Sequence, residues 1–128
     1  MKTISEITRN IAQSIGTTKY IKHNLNKNLV FTDGVNQLRE DADCHWLVDA
    51  IASYCRKEPF QVWELEVFKD KTAVLTMKED TDEPLLVEQK IHYTDFPLEN
   101  IKFFVQEGGY GSEENWTPCL VLMLTNEY

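Results

Sequence analysis

No stretch of this sequence is apolar for the roughly 18 residues that a membrane-spanning helix needs, so no helix is expected to cross a bilayer. The amino-terminal MKTISEITRNIAQ has no apolar core, and it does not read as a secretory signal. These two absences point to the cytoplasm and away from a membrane. Cysteine is scarce. Cys44, Cys55 and Cys119 are an odd number at irregular spacing, a poor basis for a disulfide framework. No pair of cysteines two residues apart and no pair of histidines three residues apart occurs, so no metal ligands and no cofactor are expected. Glycine is sparse too. The one cluster, GGYG at 108–111, lacks the lysine and hydroxyl residue of a phosphate loop and reads as a hairpin loop. Positive charge is short: 13 Lys and Arg stand against 21 Asp and Glu, for a net charge of −8. The balance is uneven. Residues 1–30 carry five basic residues and Glu6 alone, a net +4, so residues 31–128 carry −12. Such a body repels phosphate backbones, and direct nucleic-acid binding is not expected.

What is present is a core. At 128 residues with 42% apolar side chains, the chain can bury one domain without covalent staples. The spacing of Ile4, Ile7, Ile11 and Ile15 predicts an amphipathic helix within residues 1–16, stopped by Gly16. Residues 17–31 are rich in Asn and Lys, without a period. They read as a polar arm, with a short extended piece at 29–31. A helical pair is expected over 33–58, with Asp33 capping its first member and Asp41 or Asp43 its second. The second should bury Trp46, Leu47, Ala50, Ile51 and Tyr54, a stripe of period 3.6. Pro59 ends it.

Beyond Pro59 the period falls to 2. FQVWELEVF, KTAVLTMK, LLVEQKIHY and NIKFFVQ alternate apolar with polar residues, and CLVLML is apolar throughout. Short links suggest an antiparallel arrangement over 60–128. The expected fold is α+β: about three N-terminal helices on one face of a roughly five-stranded antiparallel meander sheet, forming a single domain over residues 1–128.

The run CHWLVDAIASYC, residues 44–55, carries reactive letters. On a helix Cys44 and Cys55 lie about 16 Å apart along the axis, too far to bridge or to share one metal ion. His45, Asp49 and Ser53 form a ladder four residues apart with the acid in the middle, which is the wrong order for a triad. No catalytic residue is expected. The candidate binding residues are Tyr20, His23 and Asp33 around the polar arm, and Tyr110 and Trp116 beside the glycines, where aromatics suit an interface.

The segments FTDGVNQL, HWLVDAIASY, FQVWELEV, QKIHYTDFPL and the terminal MLTNEY resemble an uncharacterised family of small proteins from bacteria, plasmids and phages, a domain of unknown function. The resemblance runs from about Gly16 to Tyr128. It implies a compact cytoplasmic domain of mobile-element company, and supplies no activity or site residue. The first functional reading is a non-enzymatic protein that binds another macromolecule, with another protein as the expected partner and a homodimer as one form of it. The alternatives are a small-ligand binder or unfamiliar enzyme with its site near the 17–33 arm, and an acidic nucleic-acid mimic that inhibits a basic protein.

Overall fold

The computed structural model describes residues 1–14, 20–24, 26–54, 58–80, 82–110, 114 and 117–128. Its elements in chain order are α1 (Ile4–Gln13), β1 (Tyr20–Lys22), β2 (Leu29–Thr32), α2 (Asp33–Asp41), α3 (His45–Tyr54), β3 (Phe60–Val67), β4 (Ala73–Lys78), β5 (Val87–Ile91), β6 (Asn100–Tyr110) and β7 (Thr117–Leu124), with a closing 3-10 turn at Thr125–Glu127.

The sheet is not a five-stranded antiparallel meander. It has seven strands in the order β1-β2-β7-β6-β3-β4-β5, and β2 runs parallel to β7. The cause lies in β7. Val121, Leu122, Met123 and Leu124 are all buried, so this strand needs neighbours on both edges. β6 takes one edge and β2 takes the other. Every residue of β2 is buried, although it sits in what reads as a polar arm. The meander also breaks after β5. The chain returns past the ends of β4 and β3, where Thr94 N donates to Lys71 O and Val67 N to Glu99 O, before β6 pairs with β3.

Alternation separates two faces. On one, Leu29, Phe31, Trp63, Leu65, Leu75, Met77, Phe103, Val105, Leu122 and Leu124 join the buried residues of the three helices in one core. On the other, Val30, Cys119, Val121 and Met123 form a second, smaller cluster with Phe104 against it.

The helices differ from expectation in their caps and their rotation. Thr32, not Asp33, caps α2: its hydroxyl accepts from Val35 N at 3.2 Å. Asp41 closes α2 and caps nothing after it. The buried stripe of α3 is Leu47, Val48, Ile51 and Ala52, while Trp46 and Ala50 are half-buried and Tyr54 is exposed. The aromatic residues mark the flank of the stripe, and aliphatic residues fill it. α1 ends at Gln13, and the predicted stop at Gly16 lies outside the described residues.

Asp41 ties α1 to α2. It is 3% exposed and accepts from Asn10 Nδ2 and Gln37 Nε2, each at 2.8 Å, with Lys2 Nζ at 3.3 Å. Burial pushes its carboxyl up, but the hydrogen bonds from Asn10, Gln37 and Lys2 outweigh this and hold it below the ordinary 3.8. A depressed folded-state pKa contributes stability that is present above the unfolded value and lost as pH falls through the folded one. Asp41→Asn is therefore expected to cost about 1–2 kcal/mol at neutral pH. Urea titrations in steps downward from pH 5 should show that difference shrinking once pH falls below 3.8. A difference independent of pH would contradict this role for the carboxylate.

Candidate functional site

The 20–32 hairpin carries Tyr20 and His23, Asp33 follows it at the start of α2, and the three do not converge. β1 and β2 pair antiparallel, with Tyr20 opposite Thr32 and Lys22 opposite Val30. Tyr20 is exposed on this edge strand. Asp33 is half-buried at the start of α2, where its Oδ1 accepts from Gly34 N at 3.1 Å. His23 turns inward and is 6% exposed.

His23 meets a residue from the ladder on α3. Its Nε2 lies 2.8 Å from Asp49 Oδ1, and its Nδ1 accepts from Asn26 N at 3.0 Å. A backbone N–H can only donate, so Nδ1 carries no proton and the hydrogen sits on Nε2, facing Asp49. Both ring nitrogens are thus engaged within the protein. A general base needs one of them directed at a substrate. This imidazole instead pins the 23–28 turn to α3, helped by Asn26 Nδ2, which donates to Ala52 O at 3.1 Å. An open depression of about 400 Å³ lies beside it, lined also by Lys27 and Ser53.

The remaining reactive letters are absorbed in the same way. His45 is exposed, and Ser53 Oγ donates to Ala50 O at 2.7 Å, so the ladder makes no triad. Burial pushes the Cys44 thiol up to about 12, and its Sγ donates to Leu38 O. Burial raises Cys119 too. These two are poor nucleophiles. Cys55 lies outside the described residues. Among the described residues, no group of three or more His, Cys, Asp or Glu could hold a metal ion.

GGYG is not simply a loop. Gly108, Gly109 and Tyr110 belong to β6, with Gly108 opposite Cys119. A Cβ on Gly108 would stand 2.8 Å from Val121 Cγ2, so close packing onto the neighbouring strand demands glycine there. Tyr110 is placed by its backbone at the end of β6, opposite Thr117. Its side chain, and Trp116 altogether, lie outside the described residues.

Sequence reasoning missed an aromatic cluster at the surface. Phe60, Phe104 and Tyr128 meet on the sheet face turned away from the helices. Their ring centroids are 5.3, 5.3 and 5.8 Å apart, and Tyr128 is 72% exposed. The signal was available: Phe104 breaks the alternation of β6 as an apolar residue on the polar face. Beyond it the face is charged with both signs. Glu88, Thr76, Glu64 and Lys102 stand in one row across β5, β4, β3 and β6, and Lys90, Val74, Glu66 and Asn100 in the next. The Asn100 amide also donates to Glu64.

Behind the aromatic trio the chain end is locked. Glu127 is 9% exposed, and its Oε1 accepts from Thr32 Oγ1 at 2.7 Å and from Leu124 N at 3.0 Å. Its carboxyl packs so close to Gly34 that a Cβ there would fall 2.7 Å from either oxygen. That lock presents Tyr128 to the sheet face.

Three helices on one side of a mixed sheet, with a two-toned face on the other side, define a small α+β protein. Among the described residues no helix is long and apolar enough to cross a membrane. The chain matches a family of unknown function, DUF6876, over residues 5–128, and belongs to that family. No curated protein and no solved structure matches it.

Proposed function

We propose that this protein is a non-catalytic binding module that recognises another protein through the sheet face turned away from its helices. The observation that carries the reading is the contacting trio Phe60, Phe104 and Tyr128, with Tyr128 largely open to solvent. Adjoining aromatic rings supply large contact area at low conformational cost, the usual composition of an interface anchor. The partner that fits presents an apolar side chain set among charges of both signs, because the face around the trio carries Glu64, Glu66 and Glu88 together with Lys78, Lys90 and Lys102. A setting in phage-related or plasmid-borne systems of bacteria, as the resemblance implies, would supply such partners.

The His23 side supports the small-ligand reading less well, since the ring's nitrogens are both engaged inside the protein. The nucleic-acid mimic needs rows of carboxylates of a single sign. Glu64, Glu66 and Glu88 share their face with Lys78, Lys90 and Lys102, which gives that reading no support.

A photo-crosslinking amino acid placed at position 104 or 128 tests the proposal in cells that carry the gene. A discrete protein adduct is expected from both positions and not from position 54, at the exposed end of α3. Adducts from position 54 alone, or the same adducts from all three, would refute it.

A further inference from the structure

We propose that β5 is the seam of a two-fold symmetric dimer, in which it pairs antiparallel with β5 of a second copy and the two seven-stranded sheets run on as one. β5 ends the sheet and pairs with β4 alone. Its outer edge therefore offers backbone donors and acceptors to a further strand. Natural edges are usually blunted by proline, by a bulge, by a very short strand or by charged side chains, and the charges on β5, Glu88 and Lys90, are of opposite sign and can pair with those of a second copy. The other edge, β1, is only three residues long. β5 has five residues, Val-Glu-Gln-Lys-Ile, with no proline and no glycine.

That sequence is complementary to itself. A two-fold axis through Gln89 sets Val87 opposite Ile91 of the second copy, Glu88 opposite Lys90, and Gln89 opposite Gln89. Each half gains an apolar pair and an opposite-charge pair, the two kinds that stabilise neighbouring strands. The neighbouring registers that keep both helix layers on one side of the joined sheet fail. An axis through Glu88 sets glutamate against glutamate, and an axis through Lys90 sets lysine against lysine. The register about Gln89 satisfies the outward backbone groups whether the odd or the even residues point outward, because an antiparallel ladder centred on a residue is symmetric in both cases.

Two further observations favour the same axis. Gln89 Oε1 is buried without a hydrogen-bond partner. At the axis it gains the amide of its symmetry mate as a donor. The strand is also flanked by large exposed apolar residues, Leu85 at 47% and Leu86 at 37% on one side and Tyr93 at 72% on the other. Continuing the register brings Leu85 of each copy beside Tyr93 of the other, so the groups left open in the single chain cover one another.

The charges make the test. Sedimentation equilibrium of the full chain should show a monomer–dimer equilibrium, dimeric at about 100 µM. Glu88→Lys alone or Lys90→Glu alone places like charges opposite one another twice, and should weaken dimerisation about tenfold or more. The double exchange, Glu88→Lys with Lys90→Glu, restores both pairs and should bring the dimer back to within about threefold of the parent. Both residues are exposed, so circular dichroism should show each variant folded. A parent chain that stays monomeric at about 100 µM, single variants that dimerise like the parent, or a double exchange that stays as weak as the singles would each overturn the proposal.

Discussion

Trp63→Ala is expected to lower the free energy of unfolding by about 3–5 kcal/mol. Trp63 is wholly buried on the inner strand β3, in register with Met77 on one side and Phe103 on the other. Truncation leaves a cavity that two fixed neighbouring strands cannot close, and the loss grows with that cavity. It also removes the indole N–H that Gln61 Oε1 accepts at 2.9 Å, a pair in which both residues are wholly buried. Trp46→Ala is the comparison. The sequence pattern places both tryptophans in the core, yet Trp46 is only half-buried on the flank of α3. Its loss should cost about 1–2 kcal/mol. Urea unfolding of the two variants decides the point, and equal costs would mean that the observed rotation of α3 is wrong.

Gly34→Ala is expected to destabilise by about 2–3 kcal/mol, against the usual sign. Inside a helix this exchange normally stabilises by about 0.5–1 kcal/mol, because glycine loses more backbone freedom on folding. Here the new methyl would sit 2.7 Å from the Glu127 carboxylate oxygens. The carboxyl cannot simply swing away, since doing so breaks its bonds to Thr32 and Leu124 N. A double-mutant cycle exposes the cause. In a Glu127→Ala background, Gly34→Ala should regain its stabilising sign, giving a coupling of about 3 kcal/mol. Additive costs in the two backgrounds would show that the contact does not matter.

How much was legible in advance follows from the range over which each signal acts. The three helices and strands β3, β4, β5 and β6 were readable because each carries a periodic pattern, and β7 because it is an unbroken apolar run. β2 was almost hidden. Four residues, Leu29–Thr32, give too short a run to show a period, and they sit among asparagines and lysines. Their burial depends on β7, some ninety residues later, which no local pattern reports. The return of the chain from β5 to β6 was missed for the same reason: hairpin-like spacing says how strands connect, not which edge the next one joins.

At the site, His23 and Asp49 were each noticed, but on different segments and for different reasons. Only the docking of the 20–32 hairpin on α3 makes them partners, and that partnership turns His23 from a binding candidate into a pin. Phe104 and Tyr128 show the opposite failure. One read as an ordinary strand residue and the other as a chain end, and it is the Glu127 lock that brings their rings together.

The central claim is that the Phe60–Phe104–Tyr128 face is where this protein meets its partner. The most direct measurement is the affinity of the purified partner, once crosslinked and identified, for three forms of the chain: the parent, Phe104→Ser with Tyr128→Ser, and His23→Ala. The account predicts a loss of about 30-fold or more for the double variant, the effect of removing an interface anchor, and little change for His23→Ala. An unchanged affinity in the double variant, with the loss appearing in His23→Ala instead, would contradict it.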